Sequence, residues 1–174
     1  KLRLEVLPAG ELESLATANG FALPSSERLR DFIRNPFYLS EYLQLNSAGS
    51  TATTYQDFKE ILWRRKILGT SSKDSIDRRR EQAFLAVARH RAESGGFTMP
   101  VGQADAPALQ ALAIDEVLAF DEARGGYFIT HDIYEEWALE KIIERAFESR
   151  SSTVQFFEAI GISMPMRLAF RHWL

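Results

Sequence analysis

Cysteine is missing from all 174 residues, which excludes disulfides and thiolate metal sites at once and is compatible with a reducing cytoplasm. No apolar run approaches the ~20 residues that a membrane-spanning helix requires, so no membrane partner is expected. The histidines are His90, His131 and His172, too far apart in sequence to form a metal-binding pair. A Gly-x-x-x-x-Gly-Lys-Ser/Thr loop that would cradle phosphates is also lacking. Serines fall in apparent caps and linkers, which leaves no good nucleophile. There is no internal repeat and no low-complexity tract. A net charge of −3 gives no global case for nucleic acid. Catalysis completed within these residues is therefore not expected.

What is present is ordinary for a soluble globular chain: 45% hydrophobic and 26% charged residues, with room for one domain or two small ones. The first residues, Lys1 to Leu7, alternate like a strand rather than reading as a signal peptide. The last, Arg171-His172-Trp173-Leu174, lie within an apolar helical pattern with no capping residue after them. Both ends are expected to be cuts through a larger protein.

After the strand, Glu11 to Ala18 reads as a short helix with Leu12, Leu15 and Ala16 inward and Gly20 beyond its end. Ser25 signals the next helix, which carries Leu29, Phe32 and Ile33. Asn35 ends it and caps a third, in which Pro36 takes the first position and which runs to about Leu45. Asn46 to Thr54 is polar and contains Gly and Ser, as a linker would. Tyr55 to Leu68 reads as helix and Gly69 to Lys73 as loop. A longer helix follows, with Ile76, Ala83, Phe84, Val87 and Ala88 on one face.

Phe97 to Val101 should be a strand. Asp105 should cap a helix with Pro107 in its first turn and Leu109, Leu112 and Ala113 inward. Val117–Phe120 and Tyr127–Thr130 flank a turn and form a hairpin. Helix, helix, strand, helix, two-stranded wing, helix is the order of a winged helix. The helix from His131 has an apolar face that drifts around its axis. Two partners are expected for it: the wing hairpin first, then the segment from Ser151 onward. The fold class expected is mainly α with a small β component. The divisions are 1–50, a last core strand and helical lid; 51–150, a winged-helix domain; and 151–174, the start of a downstream helical domain.

Two constellations carry chemistry. His131 opens a helix, where free backbone N–H groups and the positive dipole end favour an anion, most often phosphate. Its imidazole can donate to a phosphate oxygen, whose charge favours the protonated ring. Upstream, Arg34-Asn35-Pro36-Phe37 sets a rigid apolar pyrrolidine at a helix start, suited to a flat base. The plain alternatives are that Pro36 only initiates a helix and that His131 only packs. The second constellation is the basic stretch 63–92, with Arg64, Arg65, Lys66, Arg78, Arg79, Arg80, Arg89 and Arg91. It could meet DNA phosphates, or it could be a solvated face paired to the carboxylates of the helix from His131. The recognition-helix candidate, Asp105 to Ile114, has no Lys or Arg, poor equipment for a major groove.

A strand, short helices, Arg34-Asn35-Pro36-Phe37-Tyr38-Leu39, a polar linker and a winged helix ending in Phe128-Ile129-Thr130-His131-Asp132 resemble the region after the nucleotide-binding core of STAND ATPases. These include the NACHT and NB-ARC switches of innate immunity and cell death. The resemblance covers about residues 1–150. It implies that Pro36 stands for the lid proline that lies against adenine, and His131 for the histidine that meets the β-phosphate of ADP. Thr130 replaces the usual Met of that signature, and Asn35 departs from the usual Gly-x-Pro, so only Pro36 and His131 carry over as cofactor-binding residues.

The implied function is the regulatory part of an ATP/ADP-dependent signalling switch in the cytoplasm. Its nucleotide, with Mg, would be held mainly by a P-loop core outside these residues. The implied partners are that core in the same parent chain, a downstream helical sensor domain, and further copies in a nucleotide-driven homo-oligomer. The parent would be an ATPase and this part not catalytic. The alternatives are a winged-helix DNA-binding regulator using residues 63–92, and a structural adaptor without a ligand.

Overall fold

Side-chain caps fix most of the helix starts. Ser26 accepts from Leu29 N ahead of α2 (Glu27–Phe32), and Asn35 accepts from Phe37 N ahead of α3 (Pro36–Ser47). Thr54 and Asp57 form a reciprocal capping box at α4 (Tyr55–Leu62). Asp105 accepts from Ala108 N at α6 (Ala106–Ile114), and Ser152 from Gln155 N at α8 (Thr153–Ile160). Each cap satisfies an amide that the first helical turn leaves without an internal partner. The remaining helices are α1 (Ala9–Asn19), α5 (Asp74–Ser94), α7 (Asp132–Ser149) and α9 (Met164–Trp173). The computed structural model describes residues 6–50, 52–69 and 74–174. Within them the protein is mainly α with a small β component, as the sequence pattern predicts.

The chain divides into two compact units, Lys1–Arg65 and Lys66–Leu174. In the first, Leu12, Leu29, Ile33, Leu45 and Phe58 are almost wholly buried. Phe32 stacks on Tyr38 at 4.0 Å and meets Tyr55 edge-on. The segment 46–54, read as a linker, lies inside this unit. Helix α3 extends to Ser47, and Ala52 is buried. Of the strand expected over Leu2–Leu7, residues 2–5 lie outside the described ones. Leu7 is held by Arg34, which receives its N–H at the backbone carbonyl (2.9 Å) and donates Nε to its carbonyl (2.6 Å).

Helix α4 passes into a π-helical segment, Trp63–Leu68, where a continuous α-helix to Leu68 was expected. The loop expected at 69–73 lies outside the described residues apart from Gly69.

In the second unit, strands β1 (Met99–Pro100), β2 (Leu118–Asp121) and β3 (Gly126–Ile129) form an antiparallel sheet in the order β1-β3-β2. The unit runs α5, β1, α6, the β2–β3 hairpin and α7 in that order, while α4, the first helix of the expected winged-helix series, belongs to the first unit. Strand β1 is shorter than the expected Phe97–Val101. Phe97 is half-exposed and lies tilted against Phe128, 4.7 Å between ring centroids, outside the ladder. The buried face of α5 holds Ala83, Phe84, Val87 and Ala88 as expected, but Ile76 is 41% exposed. One turn later the inward place on that stripe is taken by Arg80, which is only 7% exposed.

Helix α7 is buried on more than one side, through Ile133, Tyr134, Trp137, Ala138, Leu139, Ile142 and Ile143. It packs on β3, α8 and α9, in line with the drift of its apolar face, and also on α5, which the sequence pattern did not indicate. Trp137 and Tyr134 are each about fully buried, worth roughly 2–3 kcal/mol apiece in removed apolar surface. Among the described residues no helix is long and apolar enough to cross a membrane.

Candidate functional site

In the first unit, Pro36 occupies the first position of α3, with φ fixed by its ring and no amide to satisfy. The position is set from both sides. Asn35, extended at φ −74° and ψ 125°, receives Phe37 N on Oδ1 at 3.0 Å. Arg34, one residue earlier, is clamped to Leu7 as described above. Phe37 and Tyr38 follow in edge contact at 5.3 Å. Pro36 is half-buried.

In the second unit, His131 is the residue that caps α7, extended at φ −134° and ψ 129°. Its carbonyl accepts Tyr134 N at 3.1 Å, but its side chain makes no capping hydrogen bond. The half-buried imidazole lies edge-on to the Tyr134 ring, 6.0 Å between centroids. Thr130, where the resemblance would favour Met, has a local task. Its amide and hydroxyl bond the Val117 carbonyl at 3.1 and 3.0 Å, and the hydroxyl also donates to Glu116 O at 2.8 Å. These bonds pin the end of β3 to the start of the hairpin and hold His131 at the junction of wing and helix.

The electrostatics at this helix start are mixed. The dipole and free amides favour an anion, but Asp132 and Glu135 already stand in the first turn. Glu135 is partly compensated by Arg91, whose Nη2 lies 3.0 Å from its Oε2. Burial nevertheless raises the Glu135 carboxyl above its ordinary value, with Arg91 opposing and Asp132 and Glu136 adding to the rise. Arg91 also donates weakly, at 3.5 Å, to Ile129 O at the end of β3. It is the residue near His131 that pattern reading missed. Its sequence signal was only that of one more member of a basic run.

That basic run is largely engaged within the protein. Arg64 pairs with Glu60, Arg79 with Asp105, Arg80 with Asp115, Arg89 with Glu93 and Arg91 with Glu135. The expected pairing to the carboxylates of α7 is found for Arg91, while Arg64, Arg79, Arg80 and Arg89 find acids elsewhere. Arg124 in the wing turn pairs with Asp121. A duplex would have to displace these partners, and α6 offers it no cation. Among the described residues no group of three or more His, Asp or Glu is arranged to hold a metal ion. No protein-family model matches the chain, and no curated protein matches it.

Proposed function

We propose that this chain is the regulatory part of an ATP/ADP-dependent signalling switch in the cytoplasm. It would supply lid and winged-helix contacts to a nucleotide held mainly, with its Mg²⁺, by a P-loop core in the same parent protein. Pro36 would lie against the base and His131 would donate to the β-phosphate of ADP. The observation that carries the reading is the position of His131. It stands between the end of wing strand β3 at Ile129 and the first residue of the 18-residue helix α7. Pro36, braced by Asn35 and Arg34 at a helix start, supports it independently.

ADP would hold the resting arrangement, and exchange to ATP would release the winged-helix unit for self-assembly. Such a switch works only if the two nucleotides bind the two arrangements unequally. A downstream helical sensor domain would continue from α8 and α9, where Val154, Ile162 and Met164 are more than 60% exposed. The nucleotide reading is tested by His131→Ala in the parent protein carrying the core. Loss of a charge-assisted hydrogen bond should speed ADP release about tenfold to a hundredfold. An ADP off-rate equal to the parent's would refute the assignment.

A further inference from the structure

The second unit holds a cleft of about 500 Å³ that the nucleotide reading leaves unused. One wall is α7 and the other α9, and Gly95–Phe97 after α5 closes an end. Phe97, Leu139 and Leu168 give it an apolar lining. Size and lining are those of ordinary binding clefts, in which a few polar groups on apolar walls set the specificity.

Here the polar groups are mostly of one sign. Asp132, Glu135, Glu136 and Glu140 all line the cleft from α7. Two basic groups face them: Arg91, already paired with Glu135, and His172, near enough to Glu136 to act on it electrostatically. Partial desolvation by the cleft walls is the main cause that raises both the Glu135 and Glu136 carboxyls, while Asp132 and Glu136 keep exposed side chains open to an incoming cation. Asp132 and Glu136 stand four residues apart on one helix, neighbours at the spacing a single forked cation can bridge.

The aromatic end of the cleft already accommodates guanidinium groups: Arg91 and Arg124 lie 5.2 and 5.5 Å from the Phe97 ring centroid. The lip is open, with Phe97 and Leu168 49% and 47% exposed, which suits a chain segment better than an enclosed small molecule. An arginine meets all of these conditions, since its stem covers apolar surface while its head takes carboxylates.

We propose that the cleft between α7 and α9 docks a peptide segment of a protein partner in which one arginine stands between apolar residues. The guanidinium bridges Asp132 and Glu136, and the flanking side chains cover Leu139 and Leu168. This site is independent of the nucleotide.

The test is a backbone-amide chemical-shift titration of the 174-residue chain with short capped peptides. Their centres are Leu-Arg-Leu, Leu-Gln-Leu or Leu-Glu-Leu in an otherwise Gly/Ser sequence, and free hexylammonium is titrated in parallel. The arginine peptide should bind about tenfold or more tighter than the glutamine peptide, with shifts centred on Gly95, Gly96 and Leu168. The double substitution Asp132→Asn and Glu136→Gln should remove that preference. Leu168→Gln should weaken both peptides. All three side chains are exposed, so these variants leave the core intact. Equal binding of the arginine and glutamine peptides, shifts located elsewhere, or a preference that survives the double substitution would overturn the proposal. So would hexylammonium binding as tightly as the peptide, which would mark the cleft as a small-amine site.

Discussion

Arg80 is the best place to test how the second unit is held together. The side chain is 8% exposed, yet it carries a full charge inside the protein. Its Nε donates to Ile67 O at 2.9 Å and its Nη2 to Lys66 O at 2.8 Å, two carbonyls at the end of the π-helical segment. Nη2 also meets Asp115 Oδ2 at 2.5 Å. Gly69 makes room for this arrangement. It sits at φ +93°, and a Cβ there would lie 3.2 Å from Arg80 Nε.

Hydrogen bonds from a charged donor contribute about 1.5–3 kcal/mol each, so the two carbonyls account for roughly 3–6 kcal/mol. The Asp115 side chain is 42% exposed and can rehydrate, which limits the ion pair to about 0–1 kcal/mol. Arg80→Met should therefore lower stability by about 4 kcal/mol and Asp115→Asn by less than about 1 kcal/mol. Urea unfolding at constant m-value reads both. Equal losses in the two variants would show that the ion pair, not the carbonyl capping, is what matters, and the reasoning would fail.

Two further outcomes follow from the geometry. Gly126→Ala should destabilise the sheet by about 1–3 kcal/mol in denaturant unfolding, because the added Cβ would lie 2.6 Å from Met99 O across the β1–β3 pair; unchanged stability would mean that β1 is not held as described. Glu136, though exposed, is held above its ordinary value of 4.5 mainly by partial desolvation against its neighbours, with His172 opposing and Glu140 and Asp132 adding to the rise. The folded state then binds the proton more tightly than the unfolded state, so this group's contribution to stability falls as pH rises from 4.5 through the folded value. The melting temperature of Glu136→Gln should match the parent's at pH 4 and exceed it at pH 7, and a constant difference across that range would refute the assignment.

Local signals were the most legible part of this chain. Asn35-Pro36 and Asp105 announced helix starts through side chains that act within two or three residues, and the structure has them there, whereas the cap expected at Ser25 falls one residue later at Ser26. The hairpin was legible because apolar runs flank a turn. Features that depend on partners distant in sequence were not. Ile76 fits the periodicity of α5, but the inward position next along that stripe is filled by a capping arginine whose acceptors lie 13 and 14 residues earlier. The π-helical segment has no periodicity of its own. The packing of α7 on α5 brings together helices some forty residues apart, and no local pattern encodes it. At the candidate site the sequence identified His131 and Pro36 as helix-start residues. It could not identify Arg91, which matters through Glu135 and the end of β3.

The Arg91–Glu135 pair joins the cleft to the strand that leads into His131, and its two members should behave differently when removed. Their side chains are 12% and 18% exposed. Short N···O distance alone would suggest that the pair stabilises the fold. The raised Glu135 carboxyl says instead that burial costs the ionised group more than Arg91 returns, the usual balance for a pair withdrawn from water. Protonating Glu135 in place therefore favours the folded state, and Glu135→Gln, which mimics that form, should be neutral or stabilising at pH 7. Arg91 keeps Ile129 O and the Phe97 ring as partners in that variant. Arg91→Met leaves the Glu135 carboxylate buried beside Asp132 and Glu136 with no cation, and should cost about 3 kcal/mol or more. Most of that loss should be recovered below the raised Glu135 value, where the carboxyl is neutral. Denaturant unfolding of both variants at pH 4 and pH 7 reads the asymmetry, and a larger loss for Glu135→Gln than for Arg91→Met at pH 7 would show that the ion pair, rather than the burial of its acid, governs this junction.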